Sequence, residues 1–141
     1  MLFRSGATNL VGNPAGTVSS FVTKYDSDGN LLWAIGSGSS SPCRAIDLEI
    51  DTSGNVHVTG VLTRPDTVFG VGFSGGNNAL QDIYVAKFDT SGHLQWITAT
   101  DGPGDSAGRN IAVDTSGNVY LVGWVNSSKT FGSLKIGRAH V

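Results

Sequence analysis

The stretch Phe21-Val-Thr-Lys-Tyr-Asp-Ser-Asp-Gly-Asn-Leu-Leu-Trp33 returns 63 residues later as Tyr84-Val-Ala-Lys-Phe-Asp-Thr-Ser-Gly-His-Leu-Gln-Trp96. A second segment, Ile50-Asp-Thr-Ser-Gly-Asn-Val-His-Val-Thr-Gly60, returns as Val113-Asp-Thr-Ser-Gly-Asn-Val-Tyr-Leu-Val-Gly123 at the same offset. Coincidental turn composition would not keep one register across the variable residues between the two segments. The chain is therefore predicted to contain an internal repeat of 63 residues.

Each repeated segment has the pattern of a β-hairpin. Short apolar runs flank an Asp-x-x-Gly sequence that starts at Asp26, Asp51, Asp89 and Asp114. Asp suits the first position of a type I turn, and Gly suits the left-handed residue that follows it. The strands predicted from this pattern are about 21–25, 31–35, 45–50, 55–62, 83–89, 94–100, 108–113 and 118–126.

The strand around Val119–Val125 indicates what surrounds these hairpins. Its alternate residues are apolar on both faces, with Leu121 on one face and Val122 and Trp124 on the other. A strand with one solvated face would alternate apolar with polar residues, so this sheet is predicted to be covered on both sides. Four-stranded sheets packed between like neighbours are the blades of a propeller.

The predicted fold class is therefore all-β, a partial β-propeller. One complete four-stranded antiparallel blade over residues 45–100 is flanked by two half-blades, at 21–35 and 108–126. Each terminal half-blade is expected to leave an apolar face without a neighbour in this chain, which predicts self-association or poor folding of the isolated chain.

Composition excludes several classes of function. The formal net charge of −2 provides no basic surface for nucleic acid, and no run of apolar residues is long enough to span a membrane. Cys43 is the single cysteine, so it has no partner for an intramolecular disulfide and leaves the redox compartment undecided.

Both termini carry residues that are predicted to be foreign to the natural protein. Residues 136–141, Ile-Gly-Arg-Ala-His-Val, read as the translation of a short-read sequencing adapter, and residues 1–5, Met-Leu-Phe-Arg-Ser, read as the opposite adapter. The propeller segment is then 6–135, and the start of this chain carries no information about a signal peptide.

The repeated residues resemble the bacterial seven-bladed β-propeller repeat known as SBBP. Ile111–Gly123 is similar to the first half of its signature, and Asp82–Trp96 is similar to the second half. The sequence departs from the signature at 46–49 and in the Gly- and Asn-rich linker Thr63–Gln81. The resemblance implies a scaffold or binding role in a larger secreted or cell-surface protein, and it carries no family-wide catalytic residues.

The candidate binding residues are Asp47, Glu49 and Asp51, which share one face of a predicted strand at a period of two. Three carboxylates on one face suit Ca²⁺. Asp51 is already a turn residue, however, and the counterparts of the other two in the next repeat are Asn110 and Ala112. A solvated channel lining is therefore favoured over a metal site, and no metal or cofactor is predicted.

The function predicted from the sequence is a non-catalytic module that serves as a binding or structural scaffold outside the cytoplasm. Its expected partners are the rest of its own propeller and an unknown protein or carbohydrate, bound through the loops that vary most, Gly36–Arg44 and Thr63–Gln81. Trp33 and Trp96 are expected to pack between blades. One alternative is a fragment of a quinone-dependent dehydrogenase, whose repeat has a similar Asp, Gly and Trp order; another is a structural spacer without a ligand.

Overall fold

The computed structural model describes the backbone of residues 2–4 and the whole of residues 10, 16–75 and 80–136. These residues form strands and turns and contain no helix. The strands are β1 Leu2–Arg4, β2 Phe21–Tyr25, β3 Leu31–Gly36, β4 Cys43–Ile50, β5 Val56–Thr63, β6 Asp66–Val68, β7 Val71–Phe73, β8 Gln81–Phe88, β9 Leu94–Ala99, β10 Ser106–Val113, β11 Val119–Val125, β12 Lys129–Phe131 and β13 Leu134–Ile136.

A four-stranded antiparallel sheet lies at the centre of the molecule. Its strand order, β4-β5-β8-β9, is the chain order, so the predicted complete blade is confirmed. Ile50 pairs with Val56, and Val56 pairs in turn with Phe88. Every residue of β5 is buried, including the polar His57 and Thr59 on one of its faces, as expected for a strand covered on both sides.

Two hairpins cover the two faces of this central sheet. The β2–β3 hairpin packs on the first face, where Trp33 and Val22 share one buried core with Val58, Tyr84 and Phe88. The β10–β11 hairpin packs on the second face, where the Gly108 backbone lies close to side chains of the sheet. Each hairpin belongs to a sheet separate from the central one, as expected for half-blades that pack face to face.

The four Asp-x-x-Gly turns share one conformation. In each turn, the Gly amide donates to the Asp carbonyl, and the Asp amide donates to the carbonyl of the residue after the Gly. All four glycines have φ between 82° and 84°, in the left-handed region, so the predicted turn chemistry is confirmed. A register shift beside the turns at Asp26 and Asp89 marks the bulge that this kind of turn produces.

The linker between β5 and β8 contains a short hairpin that the sequence interpretation missed. β6 and β7 pair antiparallel, with a turn at Phe69 and Gly70, which both have positive φ. β12 and β13 form the same hairpin 63 residues later, beyond the predicted end of the second half-blade at residue 126. The repeat is therefore a four-stranded blade with a small hairpin attached.

The residues predicted to be adapter-derived lie partly within the description. The backbone of Leu2–Arg4 pairs with the outer edge of β3, and Ile136 ends β13, where it pairs with Lys129. Residues 1, 5 and 137–141 lie outside the described residues. The adapter origin of both ends stays a prediction.

Candidate functional site at the variable-loop end

The two ends of the central sheet differ in how their strands are connected. Because the strands alternate in direction, the turns at Asp51–Gly54 and Asp89–Gly92 lie together at one end, called here the turn end. The connections at 37–42, 64–75 and 100–105 lie at the other end, called here the loop end. The loops predicted to carry binding therefore share one end of the blade.

The loop before β4 is tied to the linker after β5 through Asp66. The Ser40 amide and hydroxyl both donate to Oδ1 of Asp66, at 2.8 and 3.1 Å. The Thr67 amide donates to the same oxygen at 2.8 Å, and the Ser41 hydroxyl donates to the Pro65 carbonyl at 3.3 Å. The second carboxylate oxygen, Oδ2, is buried and has no hydrogen-bond partner among the described residues.

These two loops border an open cleft of about 480 Å³. Its walls combine a carboxylate, hydroxyls, backbone and one aromatic ring, which is the mixture that hydroxyl-rich or peptide ligands contact. The lining residues are Ser40, Pro65, Asp66, Thr67, Gly72, Phe73 and Ser74.

A buried ionic network supports the linker behind the cleft. Asp82 accepts from Arg64 Nε at 2.9 Å through Oδ2 and from Lys129 Nζ at 2.6 Å through Oδ1. The Arg64 guanidinium also donates to the carbonyls of Ser74 and Thr100, and its Cζ lies 5.3 Å from the Phe73 ring centroid. All three charged residues are buried, so this network fixes the loop end to the sheet.

Asp47 and Glu49 lie on β4, and their contacts differ. Asp47 Oδ2 accepts from the Ile111 amide at 2.9 Å and from the side-chain amide of Asn110, so it joins β4 to β10. The hydrogen bond from the Ile111 amide, opposed by partial burial, lowers the pKa of Asp47. Glu49 is exposed and, within the described ranges, accepts from the adjacent Ile50 amide at 3.3 Å.

Asp51 lies in its turn rather than in a set with the other two carboxylates. It accepts from Asn55 and Ser53, and its Oδ2 lies 3.2 Å from His57 Nε2 and 3.6 Å from Lys87 Nζ. The Asn55 side-chain hydrogen bond is the main cause that holds the pKa of Asp51 well below its usual range. Among the described residues, no group of three His, Cys, Asp or Glu side chains is arranged to hold a metal ion.

The two repeated tryptophans occupy unequal environments. Trp33 is 4% exposed, and its Nε1 donates to the Thr90 carbonyl in the neighbouring blade at 3.1 Å. This contact is the inter-blade packing that was predicted for it. Trp96 is 40% exposed and contacts the His57 ring edge-on, with 6.1 Å between ring centroids.

Sequence reasoning found the two variable loops but missed the residues that organise them. Arg64 and Asp66 lie in the linker after β5 and Lys129 lies at the start of β12, so no local spacing connects Arg64 or Lys129 to Asp82. The one signal was a charge reversal, because Asp66 in one repeat corresponds to Lys129 in the next.

The single cysteine, Cys43, is fully buried, and burial raises the pKa of its thiol.

The blade, its two flanking hairpins and the 63-residue offset define this chain as part of a β-propeller repeat protein. Residues 95–128 match the family described as the SBBP beta-propeller repeat, which confirms the resemblance for that segment. Two curated relatives are similar over most of the chain. They are an uncharacterized WD repeat-containing protein of Acanthamoeba polyphaga mimivirus, 27% identical over 80% of this chain, and the regulatory protein FlaEY of Caulobacter vibrioides, 26% identical over 84% of it.

The chain spans only 8% and 13% of the lengths of these two relatives. No helix in the described ranges is long and apolar enough to cross a membrane.

Proposed function

We propose that this chain is a non-catalytic blade module of a larger β-propeller and that the loop end holds the ligand. The observation that carries the proposal is the cleft in which Asp66 ties the two variable loops together. At the turn end, the turns at Asp51 and Asp89 are closed by hydrogen bonds to their own Asp side chains. Rigid turns at one end and variable loops at the other are typical of a scaffold that presents a binding surface.

The chemistry of the cleft favours a ligand with several hydroxyl groups, and carbohydrate is therefore proposed ahead of a protein surface. The exposed Thr67 and Ser74 offer hydroxyls to a ligand, whereas the buried Asp66 carboxylate holds the two loops that form the cleft. The Phe73 ring supplies an apolar surface for the carbon-bound face of a sugar ring. The resemblance to SBBP repeats supports placing the larger protein outside the cell or on its surface.

A glycan array probed with the chain tests this function. Binding should be weakened with Asp66→Asn, because a neutral amide oxygen holds the Ser40 and Thr67 donors of the two loops less strongly than a carboxylate does, and weakened also with Phe73→Ala. Asp28→Asn, on an exposed turn at the opposite end, should bind like the wild type. Circular dichroism melts should confirm that all variants are folded.

A ligand whose binding survives Asp66→Asn and Phe73→Ala would place the site elsewhere. Absence of binding on both glycan and protein arrays would favour the alternative that the chain is a structural spacer without a ligand. Protease digestion of intact cells that express the full-length gene tests the proposed surface location. Cleavage of the propeller only after the cells are lysed would contradict that location.

A further inference from the structure

The chain contains two Asp-Gly pairs, Asp28-Gly29 and Asp101-Gly102, and the fold binds their glycine amides differently. The Gly29 amide donates to the Asp26 carbonyl at 3.1 Å, inside one of the repeated turns. The Gly102 amide instead donates to Oδ1 of Asp101, the residue immediately before it, at 2.8 Å. The second pair therefore holds its amide nitrogen against its own side-chain carboxyl group.

An amide nitrogen held beside the carboxyl group of a preceding Asp can close a five-membered ring with that group. Glycine hinders this ring least, because it places no side chain beside the nitrogen. Since Oδ1 is bonded to Cγ, the contact in the second pair places the Gly102 nitrogen next to the carbon that it would attack. Such positioning of the reacting atoms is what accelerates intramolecular reactions.

The fold itself requires a glycine at position 102. Gly102 has a φ of 125°, and a Cβ at this position would lie 2.6 Å from the Ser128 carbonyl oxygen. The Gly102 carbonyl in turn accepts from Lys129 Nζ at 3.0 Å. The close approach of the chain at the start of the β12–β13 hairpin therefore keeps an Asp-Gly pair in this loop.

Asp101 is exposed to solvent, as a reaction that releases and then consumes water requires. The equivalent residue at the first interface is Gly38, 63 residues earlier, and it is exposed although the β2–β3 hairpin there packs on the complete central blade. Exposure is thus a property of this position in the repeat.

We propose that Asp101-Gly102 is a site of spontaneous isoaspartate formation in the folded chain. The Gly102 nitrogen bonds to Cγ of Asp101, and the amide hydrogen leaves with the carboxyl hydroxyl as water, which gives a succinimide. A second water molecule then opens the ring. Addition at Cγ restores aspartate, whereas addition at the backbone carbonyl carbon of Asp101 leaves Gly102 attached through Cγ, so that the main chain is one carbon longer.

The longer main chain acts on the contact between this loop and β12. Asp101 and Thr130 exchange two backbone hydrogen bonds, of 3.1 and 2.7 Å, and the Gly102 carbonyl is bound by the buried Lys129 beside them. One additional carbon before Gly102 displaces its carbonyl from the Lys129 ammonium. Isoaspartate formation therefore loosens the β12–β13 hairpin from the central blade.

Ageing of the purified chain tests the modification. The wild type is incubated for weeks in native buffer and in concentrated urea. Isoaspartate is then located by enzymatic methylation with protein isoaspartyl methyltransferase and by fragmentation mass spectrometry of the digest. In native buffer, isoaspartate should form at Asp101 about tenfold or more faster than at Asp28, and in urea the two rates should be similar. Equal rates in native buffer, no isoaspartate at Asp101, or the same ratio of rates in both buffers would overturn the proposal.

Substitutions of Asp101 test the effect on the hairpin. Asp101→Glu keeps the carboxylate but lengthens the side chain by one methylene, so the five-membered ring cannot form. Asp101→Asn is the positive control, since loss of ammonia gives the same succinimide. Aged wild type should unfold at a lower urea concentration than fresh wild type, whereas aged and fresh Asp101→Glu should unfold at the same concentration. No loss of stability in aged wild type, or equal losses in the two proteins, would overturn the proposed loosening.

Discussion

The two faces of the central sheet carry the same kind of neighbour but hold it by different chemistry. On the first face the β2–β3 hairpin is held by an apolar core in which Trp33 and Val22 pack on Tyr84 and Phe88. On the second face buried apolar residues such as Ile83 and Ile111 also pack, and polar links are added to them: the Asp47 contacts to β10 and the Asp82–Lys129 ion pair. The repeat therefore determines where neighbouring blades lie, and the individual side chains determine how they are fixed.

This difference follows from which positions the repeats share. The turn residues are nearly identical at the 63-residue offset, but Asp82 corresponds to Ser19, and Lys129 corresponds to Asp66. A buried ion pair is geometrically selective because each charge needs its partner, whereas an apolar core tolerates changes of shape. The second face should therefore respond more sharply than the first to loss of a single group.

The largest effect is expected for Asp82→Ala. It leaves the Arg64 and Lys129 cations buried without their shared carboxylate, and removing one partner of a buried pair costs about 3–5 kcal/mol. Because two cations lose their partner, urea titration should show a loss of about 5 kcal/mol in the free energy of unfolding. Asp28→Ala, an exposed carboxylate, should change it by about 0.5 kcal/mol or less. A loss for Asp82→Ala no larger than for this control would mean that the ion pairs do not hold the second face.

Trp33→Ala tests the first face and should cost about 3–4 kcal/mol, because it empties a large site in a packed core. The equivalent substitution, Trp96→Ala, removes a partly exposed ring and should cost about 1 kcal/mol in the dissociated chain. Urea titration of both variants at low protein concentration measures the contrast. Equal losses would contradict the environments described for the two rings.

Gly92→Ala and Gly117→Ala separate backbone strain from inter-blade contact. Both glycines have nearly the same positive φ, 82° and 83°, so a side chain adds about 1 kcal/mol of strain at each. A Cβ on Gly92 would also lie 2.9 Å from the Trp33 ring, whereas nothing lies within 4 Å of one on Gly117. Gly92→Ala should therefore lower the free energy of unfolding by about 2 kcal/mol and Gly117→Ala by about 1 kcal/mol. In a Trp33→Ala background, Gly92→Ala and Gly117→Ala should lower the free energy of unfolding by the same amount.

Acid should weaken the turns of both faces, and this effect is the smallest. Hydrogen bonds lower the folded-state pKa of Asp26, Asp51, Asp89 and Asp114 below the ordinary value of 3.8. A lowered pKa means that the folded state binds fewer protons, so its stabilisation is complete above about pH 4 and is lost as pH falls below that value. Thermal melts should show a smaller acid-induced loss for Asp51→Asn than for the wild type. If Asp51→Asn and the wild type lost the same stability in acid, Asp51 would not contribute to the pH dependence of folding.

The blade and its turns could be predicted from the sequence because local signals repeat at one offset. Asp51 and Gly54 define their turn within four residues, and the strand Val119–Val125 is apolar on both faces, although the face with Tyr120, Val122 and Trp124 is exposed in this chain. The β6–β7 hairpin was missed because three-residue strands are too short to show alternation. The contacts of Asp82 with Arg64 and Lys129 were not predictable, since the three residues are 18 and 47 positions apart and meet only in the folded chain.

The small hairpins also record the history of the gene. β6 and β12, and likewise β7 and β13, begin and end at the same 63-residue offset as the blades, although their sequences have little in common. Separate insertions after duplication would have no reason to fall in the same frame and with the same length. The ancestral unit therefore already carried this hairpin when it was copied, and later divergence altered its side chains, including Asp66 and Lys129, while its length was kept.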